Sequence, residues 1–587
     1  MEKWIVYGKK DDFERIGRKF GIDKVIARII RNRDITGDDN IEMYLNPDKS
    51  RLYSPWLMKG VENAVSIIMD AINSRKKIRV IGDYDIDGVC SGNILVSGLK
   101  NLGADVDFAV PDRINDGYGI NEKIIRKAYD DGTELIITCD NGIAAIEAVD
   151  YAKSIGMDII VTDHHEIVYS DEGGSIEYII PKADAVINPK QPDDNYPFKE
   201  LCGGGVAYKL IQALYEKMGL DKAQWERYLE FAAIATIGDV VDLKSENRII
   251  ACEGLKILNN TKNIGLSELI KAVGLQGKKI SAYHIGFMLG PCLNAGGRLD
   301  TAMKSFRLLY TDSDDEAKEL AYELKNLNDE RKDMTMKGVE KAISIIEGDS
   351  SYKNDSVLVI NLEGCHESIA GIIAGRIREK YNKPVFILTD SKDGLKGSGR
   401  SIEEYNMFDE LVKLRHLFQK FGGHAMAAGI SIDRDKFSEL RKMLNANSTL
   451  TEDDLKRKVW IDVPMPFGYI TTDIVRQLAI LEPFGKGNEK PVFALKNVKV
   501  EKISVLGKNR NVIIMALEDE ERGRMEGVYF GDEKEVMEDL ALKFSKEDVE
   551  LAKKGRENGI LLSILYYPEI NDYNGMDNLR VVIKRYL

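Results

Sequence analysis

Long apolar runs are missing from this 587-residue chain. None approaches the ~18 consecutive apolar residues of a membrane-spanning helix. The opening residues, MEKWIVYGKKDD, do not form a signal-peptide pattern. No membrane partner is therefore expected. Cysteine is scarce as well: there are six, at 90, 139, 202, 252, 292 and 365, and no C-x-x-C pair among them. That argues against a zinc ribbon or a disulfide scaffold and for a reducing, cytoplasmic setting. Positive charge is in deficit, the net charge being −13. Such a balance does not advertise nucleic-acid binding, but it does not exclude it, because a local basic groove suffices and part of the acidity can sit in a metal site. What the chain does have is material for real cores, with 44% hydrophobic residues, and a length that suggests three or four domains at about 100–200 residues each.

Residues 1–55 read as a helical N-terminal segment in which Arg28, Arg31 and Arg33 form a solvated face. From about 60 to 190, helix-sized segments alternate with the runs IRVIG, VDFAVP, LIITCD, DIIVTD and AVINP. Each run is apolar throughout rather than alternating, as in strands buried on both faces of a parallel sheet, so a doubly wound α/β domain is expected. Residues 200–300 read as mainly helical. Within them the glycines of LCGGGVAYKL suit close packing better than a phosphate cradle, since the Walker spacing is absent. FAAIATIGDVVDL sets Asp239 and Asp242 beside an apolar run, where a carboxylate needs a partner such as a metal. Residues 312–347 form one long connecting helix, and strand–helix alternation returns over 348–453 in a second α/β domain. There GSGRS, with Ser398 and Arg400, and FGGHA, with His424, read as loops that grip an anion. Over residues 454–587 five or so short strands and a helix suggest either an oligonucleotide-binding (OB-type) β-barrel or a β-rich cap. Tyr529, Phe530, Tyr566 and Tyr567 could stack bases there, although most read as core. The first α/β domain is expected over residues 56–311.

The chemistry concentrates in residues 77–89, KIRVIGDYDIDGV. Asp83, Asp85 and Asp87 occupy alternate positions, which on a strand would face one way. Like charges gathered in one place call for a cation. Two further apolar strands end in Asp140 and in Asp163, His164 and His165. In doubly wound sheets ligands bind outside the carboxyl ends of the strands, and three separate strands here deliver carboxylate or imidazole to that edge. Hard oxygen ligands with one or two imidazoles favour manganese or magnesium.

GDYDIDG, TCDNG, TDHH and ATIGDVVDL, in that order, resemble the DHH phosphoesterase superfamily. GPCLNAGGRL, GIIAGRI, GSGRS, FGGHAMAAG and LEPFGKGNEKPVF extend the resemblance from about residue 50 to 587, to the branch that degrades single-stranded DNA. The resemblance implies a DHH domain, a connecting helix, a DHH-associated domain and an OB-fold. It implies a two-metal (Mn2+ or Mg2+) site in which Asp85 and Asp87 each hold one ion, Asp140 bridges them, and His164 and Asp239 complete the second. Asp163 and His165 orient the site or touch the scissile phosphate. Arg113, Arg298, Ser398, Arg400 and His424 grip the 5′ end of the strand. The implied activity is 5′-to-3′ exonuclease action in DNA repair and recombination, by a monomer that meets single-strand-binding and helicase proteins. The chain departs from the pattern at Ile81, where histidine is frequent, so that the first metal either loses a ligand or recruits Asp83 instead. It departs again at Cys292 for arginine, Cys365 for tryptophan and Ser368 for glycine. The alternatives are a phosphodiesterase for short RNA or cyclic dinucleotides, which would not need the C-terminal extension, and a non-catalytic single-strand-binding module.

Overall fold

Five of the apolar runs form one sheet: β1 (Lys77–Gly82), β2 (Asp105–Ala109), β3 (Leu135–Cys139), β4 (Asp158–Thr162) and β5 (Ala185–Ile187). Their order is β2-β1-β3-β4-β5 and every pairing is parallel. The reason for their uniform hydrophobicity is visible in the packing. Ile78, Val80, Leu135, Ile137 and Ile160 enter a core on one face, while Ile81, Ile136, Ile159 and Val161 enter another on the opposite face. Helices α1 (Ile86–Asn101), α2 (Gly203–Lys217) and α3 (Leu229–Gly238) fill the first of these cores. Between β4 and β5 the chain forms an antiparallel hairpin, Tyr169–Glu172 with Ser175–Tyr178, that periodicity did not suggest. This computed structural model describes residues 2–111, 119–172, 175–571 and 578–587, leaving aside the side chains at 171, 172 and 175.

The described chain packs as two compact units, residues 49–242 with 246–457, and residues 2–48 with 243–245 and 458–587. In the first unit a helix, α4 (Gly290–Leu299), follows the α/β domain and leads to the strut α5 (Asp314–Gly348). Ser313 caps the strut by accepting from the Glu316 N–H. One end of its apolar stripe (Ala317, Leu320, Ala321, Leu324) sinks into the first core, and the other (Ala342, Ile346) into the core of a second sheet. That sheet contains β6 (Leu358–Asn361), β7 (Val385–Ser391), β8 (Gly394–Arg400), β9 (Phe418–His424) and β10 (Ala427–Ile432), with α6 (Glu367–Tyr381) packed against it. Their order is β9-β10-β8-β7-β6, parallel between β6 and β7 and antiparallel elsewhere. GSGRS and FGGHA are thus strand segments rather than loops. Gly397, Gly399 and Gly423 serve close packing: a Cβ on Gly399 would lie 2.4 Å from the Met407 sulfur.

In the second unit, strands β11 (Phe493–Leu506), β12 (Val512–Glu518), β13 (Arg524–Phe530), β14 (Leu561–Asn571) and β15 (Asn578–Tyr586) pair in a closed circuit. The circuit runs β11-β12-β13-β15-β14 and back to β11, parallel only between β13 and β15. Tyr566 and Tyr567 are buried inside it, whereas Phe530 is exposed. The N-terminal residues are less uniformly helical than expected, because they begin with a strand, Glu2–Val6. Arg33 does not lie on a solvated face. It is buried, with Nη1 2.7 Å and Nη2 3.2 Å from the two oxygens of Asp462. A charge pattern along one helix cannot reveal that its partner lies more than 400 residues away.

Candidate metal centre

β1 ends at Gly82, so Asp83, Asp85 and Asp87 do not alternate along a strand. They converge because the chain reverses directly into α1. Asp85 is the N-cap of that helix, its Oδ1 accepting from the N–H groups of Asp87 at 2.9 Å and Gly88 at 3.2 Å. The turn is tight enough that a Cβ on residue 88 would lie 2.4 Å from the Asp83 carbonyl oxygen, which is why glycine stands there. Asp87, in the first turn, is turned inward onto the N-terminus of α2. Its two oxygens accept from the N–H groups of Gly203 and Gly204, each at 2.7 Å. The glycine run is therefore an anion cradle after all, but the anion is the protein's own carboxylate.

Asp140 follows β3 in the left-handed region, at φ 61°, an uncommon conformation for a residue other than glycine. The Asn141 side-chain amide fixes this bend by donating to the carbonyl oxygens of Ile81 at 3.1 Å and Cys139 at 2.9 Å. After β4, Asp163 is buried and fully engaged. Its Oδ1 accepts from the N–H groups of His164 (2.7 Å) and His165 (3.1 Å), and its Oδ2 from the Ile143 N–H at 2.9 Å. The same Oδ1 lies 2.7 Å from His165 Nδ1. His164 Nε2 sits 3.1 Å from Asp140 Oδ1, 3.5 Å from Asp87 Oδ2 and 3.8 Å from Asp239 Oδ2. Asp239 ends α3.

Three sets of donor atoms, each mutually within 4.8 Å, result: Asp83, Asp85 and Asp140; Asp87, His164 and Asp239; and Asp140, His164 and His165. Asp140 belongs to the first and third sets, and His164 to the second and third. The electrostatics match a site built for cations. Burial, reinforced by the charges of Asp87, Asp85 and Asp83, pushes the Asp140 carboxyl well above the ordinary carboxylate range. Burial likewise raises Asp87, against the pull of His164. Asp163 goes the other way: although burial opposes it, the hydrogen bond with His165 holds its carboxyl low. His165 is pulled down by burial but pushed up, to about 9, by its bond with Asp163. Burial lowers His164. A crowd of carboxylates that cannot all ionise, interleaved with imidazole in shared sets, fits two divalent cations in its donor chemistry. Ile81 is buried in the core on the far side of the sheet, and Asp83 is the residue that joins Asp85 and Asp140. Asp242 enters none of the three sets.

Of the residues expected to grip the strand, Arg113 lies outside the described residues. Arg298, on α4, donates from Nη1 to the Ser368 carbonyl oxygen in α6 at 3.0 Å, joining the two α/β domains. Arg400 lies against the same helix, its Nη2 2.7 Å from where a Gly371 Cβ would be. Arg400 and His424 flank Ala427 from opposite sides in the sheet register, and Ser398 pairs with Gly429. Cys292 is buried toward the strut, where the Asn328 amide donates to its sulfur at 3.5 Å, and Ser368 Oγ lies 2.7 Å from His366 Nδ1. Sequence reasoning missed Gly203 and Gly204 as holders of Asp87. It also missed Asn294, whose Oδ1 accepts from the Ile86 N–H at 2.7 Å and so pins the acidic turn to α4.

Three domain families match in order: the DHH family N-terminal domain over residues 77–236, the DHHA1 domain over 354–448 and the RecJ OB domain over 461–585. The single-stranded-DNA-specific exonuclease RecJ of Haemophilus influenzae is 30% identical, with 97% of each chain covered. The chain belongs to the RecJ family. RecJ of Bacillus subtilis is 36% identical over 87% of this chain, and the match spans 63% of that longer relative. The crystal structure of Thermus thermophilus RecJ with Mn2+ covers all of this chain and 79% of its own, with a TM-score of 0.81 at 26% identity. That protein's Mg2+ complex gives a TM-score of 0.76. The RecJ-family fold therefore extends over all three domains.

Proposed function

We propose that this protein is a metal-dependent exonuclease that hydrolyses single-stranded DNA from its 5′ end, releasing nucleotides in DNA repair and recombination. The observation that carries the reading is a pair of donor sets, Asp83–Asp85–Asp140 and Asp87–His164–Asp239, linked by a third that contains Asp140 and His164, in a chain of the RecJ family. Asp85, Asp140 and Asp83 would hold one Mn2+ or Mg2+, and Asp87, His164 and Asp239 the other. Such ions, when bound, supply activation of a water and stabilisation of charge on the leaving oxygen.

The chain's own residues do the rest. The α2 amides fix Asp87 with both oxygens already hydrogen-bonded, so it meets a cation in one orientation. Asp163 keeps His165 protonated and aimed, ready to meet the negative charge of a phosphate. Arg298, Ser398, Arg400 and His424, with Arg113, bind the strand's phosphates near its 5′ end. Guanidinium groups suit this role because their fork matches a phosphate's paired oxygens. The protein acts as a monomer, beside single-strand-binding and helicase proteins. The test is digestion of 5′- and 3′-labelled single strands in Mn2+ and in Mg2+. Release of the 5′ label first, from single strands and not from duplex, is expected. Release of the 3′ label first, or equal cutting of duplex, would overturn the reading.

A further inference from the structure

Tyr283 and Phe287 are among the most exposed aromatic residues of the chain, at 63% and 65% of their surface, yet their rings stack on one another with centroids 4.9 Å apart and planes 29° from parallel. Scattered exposed apolar residues are ordinary; a stacked pair presented to solvent is not. The pair is built on a rigid base. It spans the short helix Ala282–His284 and a π-helical turn, Ile285–Leu289, whose flanking Ile285 and Leu289 are fully buried in the first core. π-helical turns are rare and frequently mark functional positions. Gly286, between the two in sequence, is exposed and has no atom of the described residues within 4 Å of its Cβ position, so the helix face beside them is open.

Two connections tie this face to the acidic site. The turn runs straight on into α4, whose Asn294 accepts from the Ile86 N–H of the GDYDIDG turn. α3, which ends in Asp239, also packs on the π-helical turn, and a Cβ on either Gly238 or Gly290 would touch Ile86 Cδ1. Immediately after Asp239, Val240 is held at φ 60° and is 57% exposed, a strained setting for a β-branched side chain. Neither the DHH match, ending at residue 236, nor the DHHA1 match, starting at 354, includes the aromatic pair.

The geometry points to Tyr283 and Phe287 as a stacking platform for bases of the substrate strand, beside the linkage being cut. This rests on the proposed single-stranded-DNA substrate and adds how its bases are held. A face of two rings is too small for a stable protein interface, which needs about 800 Å² per partner. It is well matched to nucleobases, each of which offers a π-face whatever its identity. Stacking of this kind is indifferent to sequence, as an enzyme advancing along any strand requires. It also favours single strands, because the bases of a duplex are already stacked on each other.

The test compares the whole protein with Phe287→Ala and Tyr283→Ala/Phe287→Ala on a 5′-phosphorylated strand and on the same strand with abasic sites in its first nucleotides. KM for the normal strand should rise about tenfold per ring removed, with kcat little changed and with no further rise on the abasic strand. Phe287→Trp should restore the wild-type KM. An equal rise on both strands, or no rise on either, would overturn the platform, as would a changed oligomeric state with KM unchanged. Fluorescence quenching of 2-aminopurine strands, read in EDTA, separates this claim from the proposed activity. Wild-type quenching that is lost in the double variant supports stacking even if no strand is cut, and unchanged quenching overturns it even if strands are cut.

Discussion

Helix α2 serves two clusters of buried charge, and they are built on opposite plans. At its N-terminus the amides of Gly203 and Gly204 hold Asp87, within a group that gathers Asp83, Asp85, Asp140 and Asp239 around His164. Two turns later, Lys209 is completely buried and paired with the equally buried Glu246 at 2.8 Å. Lys209 also donates to the Tyr53 carbonyl oxygen at 2.6 Å, and Glu246 accepts from the Tyr196 hydroxyl at 2.6 Å and the Tyr53 N–H at 2.8 Å. The second cluster is balanced within the chain: one cation faces one anion, and each has further hydrogen-bond partners. The first collects anions until burial and mutual repulsion drive Asp140 away from its charged form. A closed knot of charge holds helices in register, whereas an unbalanced one is a place for ions from solution.

The contrast can be broken by single substitutions. Asp140→Ala should cut hydrolysis by on the order of 10³-fold or more while leaving thermal unfolding in the absence of metal within a few degrees of wild type; a variant that still cleaves would dissolve the functional half of the comparison. Lys209→Met should do the reverse. It strands Glu246 and should cost about 3–5 kcal/mol of stability, with hydrolysis by the folded fraction unchanged, as chemical denaturation and active-site-normalised kinetics would show.

Glu230 sharpens the comparison as a third buried charge with little to balance it. Burial, only partly offset by the Thr261 hydroxyl, pushes its carboxyl up to about 7, and its Oε2 has no hydrogen-bond partner among the described residues. A carboxyl that binds its proton more tightly when folded stabilises the fold at low pH. That stability is lost as pH rises from the unfolded value of about 4.5 to the folded value of about 7. Glu230→Gln should therefore raise stability at pH 8 by on the order of 3 kcal/mol and flatten its pH dependence. An unchanged pH profile would remove Glu230 from the account. The smallest effect is expected at the positioning carboxylate. Asp163→Asn should lower hydrolysis about 10–100-fold by loosening His165 and should remove the high-pH titration of that imidazole, visible by NMR.

Much of this was legible in the sequence for a definite reason. The five strands declare themselves because both faces of the sheet are buried, and Asp140, Asp163 and His164 follow their strands directly. The strut is equally plain, since its run is long, highly charged and free of proline, and its cap, Ser313, stands in place. What was not legible depends on partners distant in sequence. Asp87 looked like a member of a strand's row, and only the fold shows the α2 amides more than 110 residues away taking both its oxygens. Arg33 looked solvated because Asp462 lies more than 420 residues later. GSGRS and FGGHA looked like loops because glycine marks turns more often than it marks the tight strand packing that Gly399 requires. The stacked Tyr283 and Phe287 carry no sequence signal beyond a helical spacing that usually means core.

The central claim is that the acidic cluster is completed by two cations from solution and that Asp140 links them. Equilibrium titration of the metal-free protein with Mn2+ tests it directly. Two ions should bind per wild-type chain, with one or none in Asp140→Ala and two retained in Lys209→Met at temperatures where it is folded. A wild-type protein that binds no Mn2+, or an Asp140→Ala variant that still binds two with unchanged affinity, would contradict it.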